Sequence, residues 1–83
     1  MKARYINPYI LKRNRAVISA VRDGDIEPLR QLMVETSGIE PSSDEVVWAT
    51  AHKMCCNIVS MPRELQDISV KWLEEHGMRR SIY

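Results

Sequence analysis

The chain has 83 residues, of which 45% are hydrophobic and 28% charged, with a formal net charge of +1. That length supports one core rather than two, and an apolar content near the globular average closes it without disulfides or metals and argues against disorder throughout. A membrane helix is excluded as well, because oily runs such as VVWATA at 46–51 fall far short of the roughly 18 apolar residues that a span needs.

Hydrophobic periodicity divides the chain into four helical segments, and none reads as a strand. The first begins with Asn7 as N-cap and Pro8 at the first helical position, where the missing amide hydrogen would be unpaired anyway. It runs to about Arg22, takes Ile10, Leu11, Val17, Ile18 and Val21 as its apolar side, and stops at a left-handed Gly24. Asp25 caps the second helix, in which Ile26, Leu29, Leu32 and Met33 keep helical spacing, Pro28 stays in the first turn and Gly38 closes the segment.

Ser42 and Glu45 have capping-box spacing at the start of the third helix. Val47, Ala51, Met54, Cys55, Ile58 and Val59, with Trp48 beside them, make this the oiliest segment and place it at the centre of the core. Met61-Pro62 breaks it and opens the fourth helix, with a seam of Leu65, Ile68, Trp72 and Leu73, an outward face of Asp67, Lys71 and Glu75, and an end at Gly77. The expected fold is all-α, a compact single domain over 1–83 with four short helices, helices one and two forming an αα-hairpin and helix three central. Residues 1–6 are left as an arm and 78–83 as a short tail.

The hairpin stretch AVRDGDIEPLRQLMVETSG, residues 20–38, resembles the paired helices of an ankyrin repeat, where an alanine, a turn glycine and a leucine-rich second helix recur. The Thr-Pro-Leu-His opening of that family is absent and no second copy follows, whereas stacked repeats need about three units to bury their faces. The same hairpin resembles a helix-turn-helix, with Ala20 four residues before Gly24, which implies a DNA-reading second helix. Arg30 stands six positions after the glycine, where that motif usually has a hydrophobic residue, and Asp25, Glu27 and Glu35 would meet phosphates. A structural hairpin accounts for both patterns, since a glycine must turn the chain and the apolar spacing must meet a core.

Charge is segregated. Residues 1–22 hold six Lys or Arg and no acid, while residues 23–45 hold seven Asp or Glu against Arg30. Lys12, Arg15, Ser19 and Arg22 recur at three- and four-residue spacing, which sets three cations on one helical stripe, with Arg13 close by. Together with Arg4, Tyr5 and Tyr9 they form the candidate partner-binding set: Arg4, Tyr5, Tyr9, Lys12, Arg13, Arg15 and Arg22. This mixture of cations and aromatics suits an acidic protein surface or single-stranded nucleic acid. A sequence pI near 7.8 lies below the strongly basic values of dedicated nucleic-acid binders, so an acidic protein partner is preferred. The adjacent acidic segment offers two further outcomes, pairing of the stripe within the fold and head-to-tail self-association.

Other chemistry is thinly represented. His52, Cys55 and Cys56 are the only cluster of ligand-type residues, and consecutive helical cysteines point about 100° apart, so no metal site is expected. Cys55 reads as a small buried hydrophobe with His52 and Cys56 at its edge. No phosphate-binding glycine loop, nucleophile elbow, zinc-protease helix or dinucleotide fingerprint is present, and a domain of this size leaves little room for a pocket of the usual ~300 Å³ or more. The chain is therefore expected to be neither an enzyme nor a cofactor carrier.

If Trp72 and Leu73 cannot both face helix three, helix four keeps an exposed apolar strip, which Ile82 and Tyr83 would be placed to cover. The first fifteen residues lack a signal-like apolar stretch, and neighbouring cysteines suit a reducing compartment, so a cytoplasmic location without membrane contact is expected. The functional expectation is a small non-enzymatic protein-binding or regulatory module acting through the basic first helix and an exposed apolar strip. The alternatives are a nucleic-acid-binding protein using the basic stripe and a structural homo-oligomer subunit. In its brevity and lack of motifs the chain resembles accessory proteins of phages and other mobile elements, a likeness of style that no particular residue carries.

Overall fold

The structure, a computed structural model, describes residues 7–78, so Arg4, Tyr5, Ile82 and Tyr83 lie outside the described residues. Four helices follow in order: α1 Pro8–Asp23, α2 Glu27–Ser37, α3 Asp44–Asn57 and α4 Arg63–Glu75. No strand occurs among the described residues. No helix among them is long and apolar enough to cross a membrane.

Local chemistry sets most helix ends. The Asn7 side chain accepts from the Tyr9 amide at 2.9 Å, and Pro8 occupies the first turn. Gly24, at φ 71°, ends α1 in the left-handed conformation that a side chain would strain. Asp25 does cap α2 in effect, its carboxylate accepting from the Glu27 amide at 3.2 Å, although Ile26 occupies the N-cap position itself.

At α3 the expected cap is displaced by one residue. Ser43, not Ser42, is the N-cap, and its hydroxyl accepts from the Val46 amide at 3.4 Å. Because Val46 stands three residues after Ser43, there is no reciprocal glutamate and the capping box does not form. The other end of α3 also comes early. The helix stops at Asn57, Ile58 turns extended, and Val59 is 96% exposed rather than part of the apolar face. The Gln66 amide donates to the Ile58 carbonyl at 2.9 Å and ties the α3–α4 corner.

The core is a single cluster of Ala16, Val17 and Ala20 from α1, Leu29 from α2, Val47, Ala51 and Cys55 from α3, and Met61 with Leu65. Helix α3 touches all three other helices, as its central placement requires, and α1 does the same; α2 and α4 flank this pair without meeting each other. Alanines on both α1 and α3 let their backbones approach closely.

Two apolar faces differ from the expectation. On α1 the buried residues all fall in the second half of the helix, so Ile10 and Leu11 stay exposed at 41% and 45% on an end that extends past the core. On α4 the buried stripe is Leu65, Ser69 and Leu73, which turns Ile68 outward and leaves Trp72 half-buried. Leu73 alone of the Trp72/Leu73 pair takes the inner position, and Ile68 with Trp72 forms the apolar strip.

Candidate functional site

Two open clefts exceed the roughly 300 Å³ for which so small a domain was expected to leave little room. The first, of about 480 Å³, runs between α1 and α2. Pro8, Leu11, Ala16 and Pro28 supply its apolar floor, Ser19 and Gln31 line it too, and Lys12 and Arg15 provide its charge. No carboxylate lines it.

Of the candidate binding residues, the fold thus brings together Lys12 and Arg15. Tyr9 is exposed on the same helix end but does not line the groove. Arg13 is half-buried and donates to the Asn14 side chain at 3.1 and 3.3 Å. Arg22 pairs with its neighbour Asp23 at 3.0 Å, a contact that raises the guanidinium pKa and lowers that of the carboxyl, first through the hydrogen bond.

Part of the basic stripe is therefore neutralised within the fold. The Lys12 ammonium lies 2.8 Å from Glu35 on α2, whereas Arg15 has no ion pair among the described residues. Arg30, the residue that broke the helix-turn-helix pattern, bonds both Glu27 on α2 and Asp44 at the start of α3. A hydrophobic residue at that position would leave the α2–α3 junction without this bridge. A further shallow depression is lined by Glu27, Arg30 and Glu35 of α2 and by Glu40 just after it, a surface with more carboxylates than cations that disfavours phosphates.

The second cleft, of about 470 Å³, lies between the end of α1 and helices α3 and α4. Its centre is a ladder of four rings. Trp48 and His52 stack with centroids 6.0 Å apart, His52 and Trp72 at 4.5 Å, and Trp72 and His76 at 3.8 Å, all within 20° of parallel. Helix α3 contributes Trp48 and His52, and Trp72 of α4 is followed four residues on by His76, the C-cap of that helix, so each pair shares a face, and the His52–Trp72 contact joins the two helices.

His52 was expected at the edge of the apolar face, yet it is 2% exposed. Its Nδ1 lies 2.9 Å from the hydroxyl of Ser69, which is itself wholly buried in the middle of the α4 leucine stripe. Its Nε2 is buried with no partner. Orphaned N–H groups are the rarer arrangement in protein interiors, so we assign Nδ1–H as the donor to Ser69 and leave Nε2 a bare acceptor. The Ser69 hydroxyl then turns toward the Cys55 thiol, whose pKa burial raises and that hydrogen bond opposes. Burial, aided by the nearby His76, pulls the His52 pKa down to about 4, so the ring is neutral at physiological pH. His76 Nδ1–H donates to the Trp72 carbonyl at 2.8 Å.

Cys55 is fully buried and Cys56 half-buried, and neither forms a disulfide among the described residues. Among the described residues no group of three or more His, Cys, Asp or Glu is placed to hold a metal ion. Sequence reasoning passed over the ladder and Ser69. The signal was present in WATAH at 48–52 and WLEEH at 72–76, two copies of one aromatic spacing, and in a serine midway between Leu65 and Leu73.

No family model matches the chain, and no curated protein or solved structure shows significant similarity to it.

Proposed function

We propose that this chain is a non-enzymatic protein-binding module whose α1–α2 groove receives an apolar side chain from an acidic segment of a partner. The observation that carries this reading is the groove itself, an apolar floor of Pro8, Leu11, Ala16 and Pro28 edged by Arg15, which has no ion pair among the described residues, and by Lys12, which Glu35 holds from outside the lining. An apolar anchor set in a pocket with charge of one sign at its rim is a common plan for helix and peptide recognition. Tyr9 and Ile10, both 41% exposed on the same end of α1, extend the contact surface. Charge complementarity selects an acidic occupant, and the rim cations set its rate of encounter more than its dwell time.

The nucleic-acid alternative uses the same cations but finds weaker support. The depression beside the groove holds Glu27, Glu35 and Glu40, and its one cation, Arg30, is bonded to two carboxylates, which opposes a phosphate backbone running past the groove more than a single apolar anchor set in it. Self-association remains an outcome of the same test.

The experiment is a fluorescence-anisotropy titration of the full chain against a labelled amphipathic peptide bearing leucines and glutamates at helical spacing. Labelled single- and double-stranded oligonucleotides are run in parallel at about 50 and 200 mM salt. Saturable peptide binding that Arg15→Glu weakens about tenfold, with helicity unchanged, is the expected result. Steeply salt-dependent oligonucleotide binding without peptide binding would replace this reading with the nucleic-acid one. Mass that rises with concentration in the absence of any probe would favour the homo-oligomer.

A further inference from the structure

The α1–α2 groove suits an apolar side chain carried on an acidic segment, and the chain itself presents one. Residues 31–52 contain Glu35, Glu40, Asp44 and Glu45 and no Lys or Arg. In the middle of that stretch, on the loop between α2 and α3, Ile39 is 71% exposed. The other large apolar residues in solvent differ from it. Tyr9, Ile10 and Leu11 run straight into Lys12, Val59 has no charged residue within three positions, and Val46 and Ile68 sit on helices less than half exposed. Among the described residues, Ile39 is thus the one that joins high exposure, a loop position and an adjacent carboxylate, Glu40.

The loop holds this side chain in place. Gly38 turns the chain out of α2 at φ 72°, the Ile39 amide donates to the Ser37 hydroxyl at 3.2 Å, and Pro41 fixes the backbone two residues on. An anchor set in advance loses little freedom on binding. The same turn keeps Ile39 out of the groove of its own copy, whose lining does not include it. Arg15 at the groove and Glu40 beside the anchor have no ion pair among the described residues, so a contact between copies matches two charges that the fold leaves unmatched.

Resting on the groove reading above, we propose that the partner is a second copy of this chain: Ile39 of one copy enters the α1–α2 groove of the next, with Glu40 set against Arg15. Anchor and groove are different patches of one surface, so the contact is heterologous, head to tail. A contact centred on one aliphatic side chain and one charge pair is small and transient, and it loosens as salt screens the charges.

The experiment is sedimentation equilibrium of the full chain between about 10 µM and 1 mM, at about 50 and 200 mM salt. The expected result is a mass that rises above the monomer with concentration, and rises less at the higher salt. Ile39→Asp and Arg15→Glu, both exposed positions, are checked for unchanged helicity by circular dichroism, and each weakens the association about tenfold or more. An equimolar mixture of the two variants recovers association, to a mass no greater than a dimer, because the mixture holds one intact anchor and one intact groove. Association that survives both substitutions, or a mixture that stays monomeric, overturns the proposal. The leucine–glutamate peptide, titrated into Ile39→Asp with its groove intact, separates the two readings. A monomeric wild type with peptide binding to this variant overturns self-docking alone, and a monomeric wild type without peptide binding overturns the groove reading with it.

Discussion

His52 is 2% exposed and has one hydrogen-bond partner among the described residues, so protonating it in the folded state is unfavourable. Its folded pKa of about 4 lies below the ordinary 6.5, mainly through burial, so the unfolded chain takes up the proton first as pH falls. Stability from this group is complete above pH 6.5, declines between 6.5 and about 4, and declines no further below that. A shift of this size corresponds to about 3 kcal/mol. Urea denaturation at pH 7.5 and pH 4 checks it against a variant combining His52→Phe with Ser69→Ala, which replaces both hydrogen-bond partners by apolar groups of similar shape. The stability difference between wild type and variant is expected to move by about 3 kcal/mol across that interval; parallel curves would remove His52 from the account. At this scale the sequence was partly misleading. Cys55 reads correctly as a buried hydrophobe from its place on the α3 face, whereas His52 and Ser69 are polar residues whose burial follows from pairing with each other across two helices, a contact that local spacing does not contain.

Helix ends follow from residues within a few positions, and they were correspondingly legible. Asn7, Pro8, Gly24 and Gly38 mark the limits of α1 and α2 because a side-chain acceptor, a fixed φ and a left-handed turn are local properties. The cap of α3 was off by one residue, since two adjacent serines compete and only the register of the helix against the core selects Ser43. Ser43→Ala is accordingly expected to lower stability by about 1 kcal/mol, while Ser42→Ala is near neutral. Thermal melts of the two variants check this, and the reverse order would restore the Ser42 cap. Which face of a helix is buried is less local. On α1 the apolar residues Ile10 and Leu11 have the right spacing but lie in the half of the helix that buries no side chain, and on α4 Ser69 takes the inner stripe while Ile68 faces outward.

For the whole molecule, the four-helix all-α architecture was readable from periodicity and punctuation, with α3 in contact with every other helix. The two clefts were not, because each is made by surfaces of different helices. Charge segregation along the chain proves to be only partly a segregation in space: Glu35 folds back on Lys12, and Asp44 and Glu27 on Arg30, while Arg15 is left facing the apolar floor of the α1–α2 groove. Exposed pairs such as Lys12–Glu35 contribute roughly 0–1 kcal/mol and leave the groove's positive edge available to a partner.

The proposed docking groove is tested most directly by mapping amide chemical shifts in ¹⁵N-labelled full chain during titration with the leucine–glutamate peptide. Perturbations concentrated on residues 9–19 of α1 and on Pro28-flanking positions and Gln31 of α2, reduced in Arg15→Glu, are the predicted result. Perturbations centred on α3 and α4, or none at saturating peptide, would contradict the assignment of the α1–α2 groove as the binding surface.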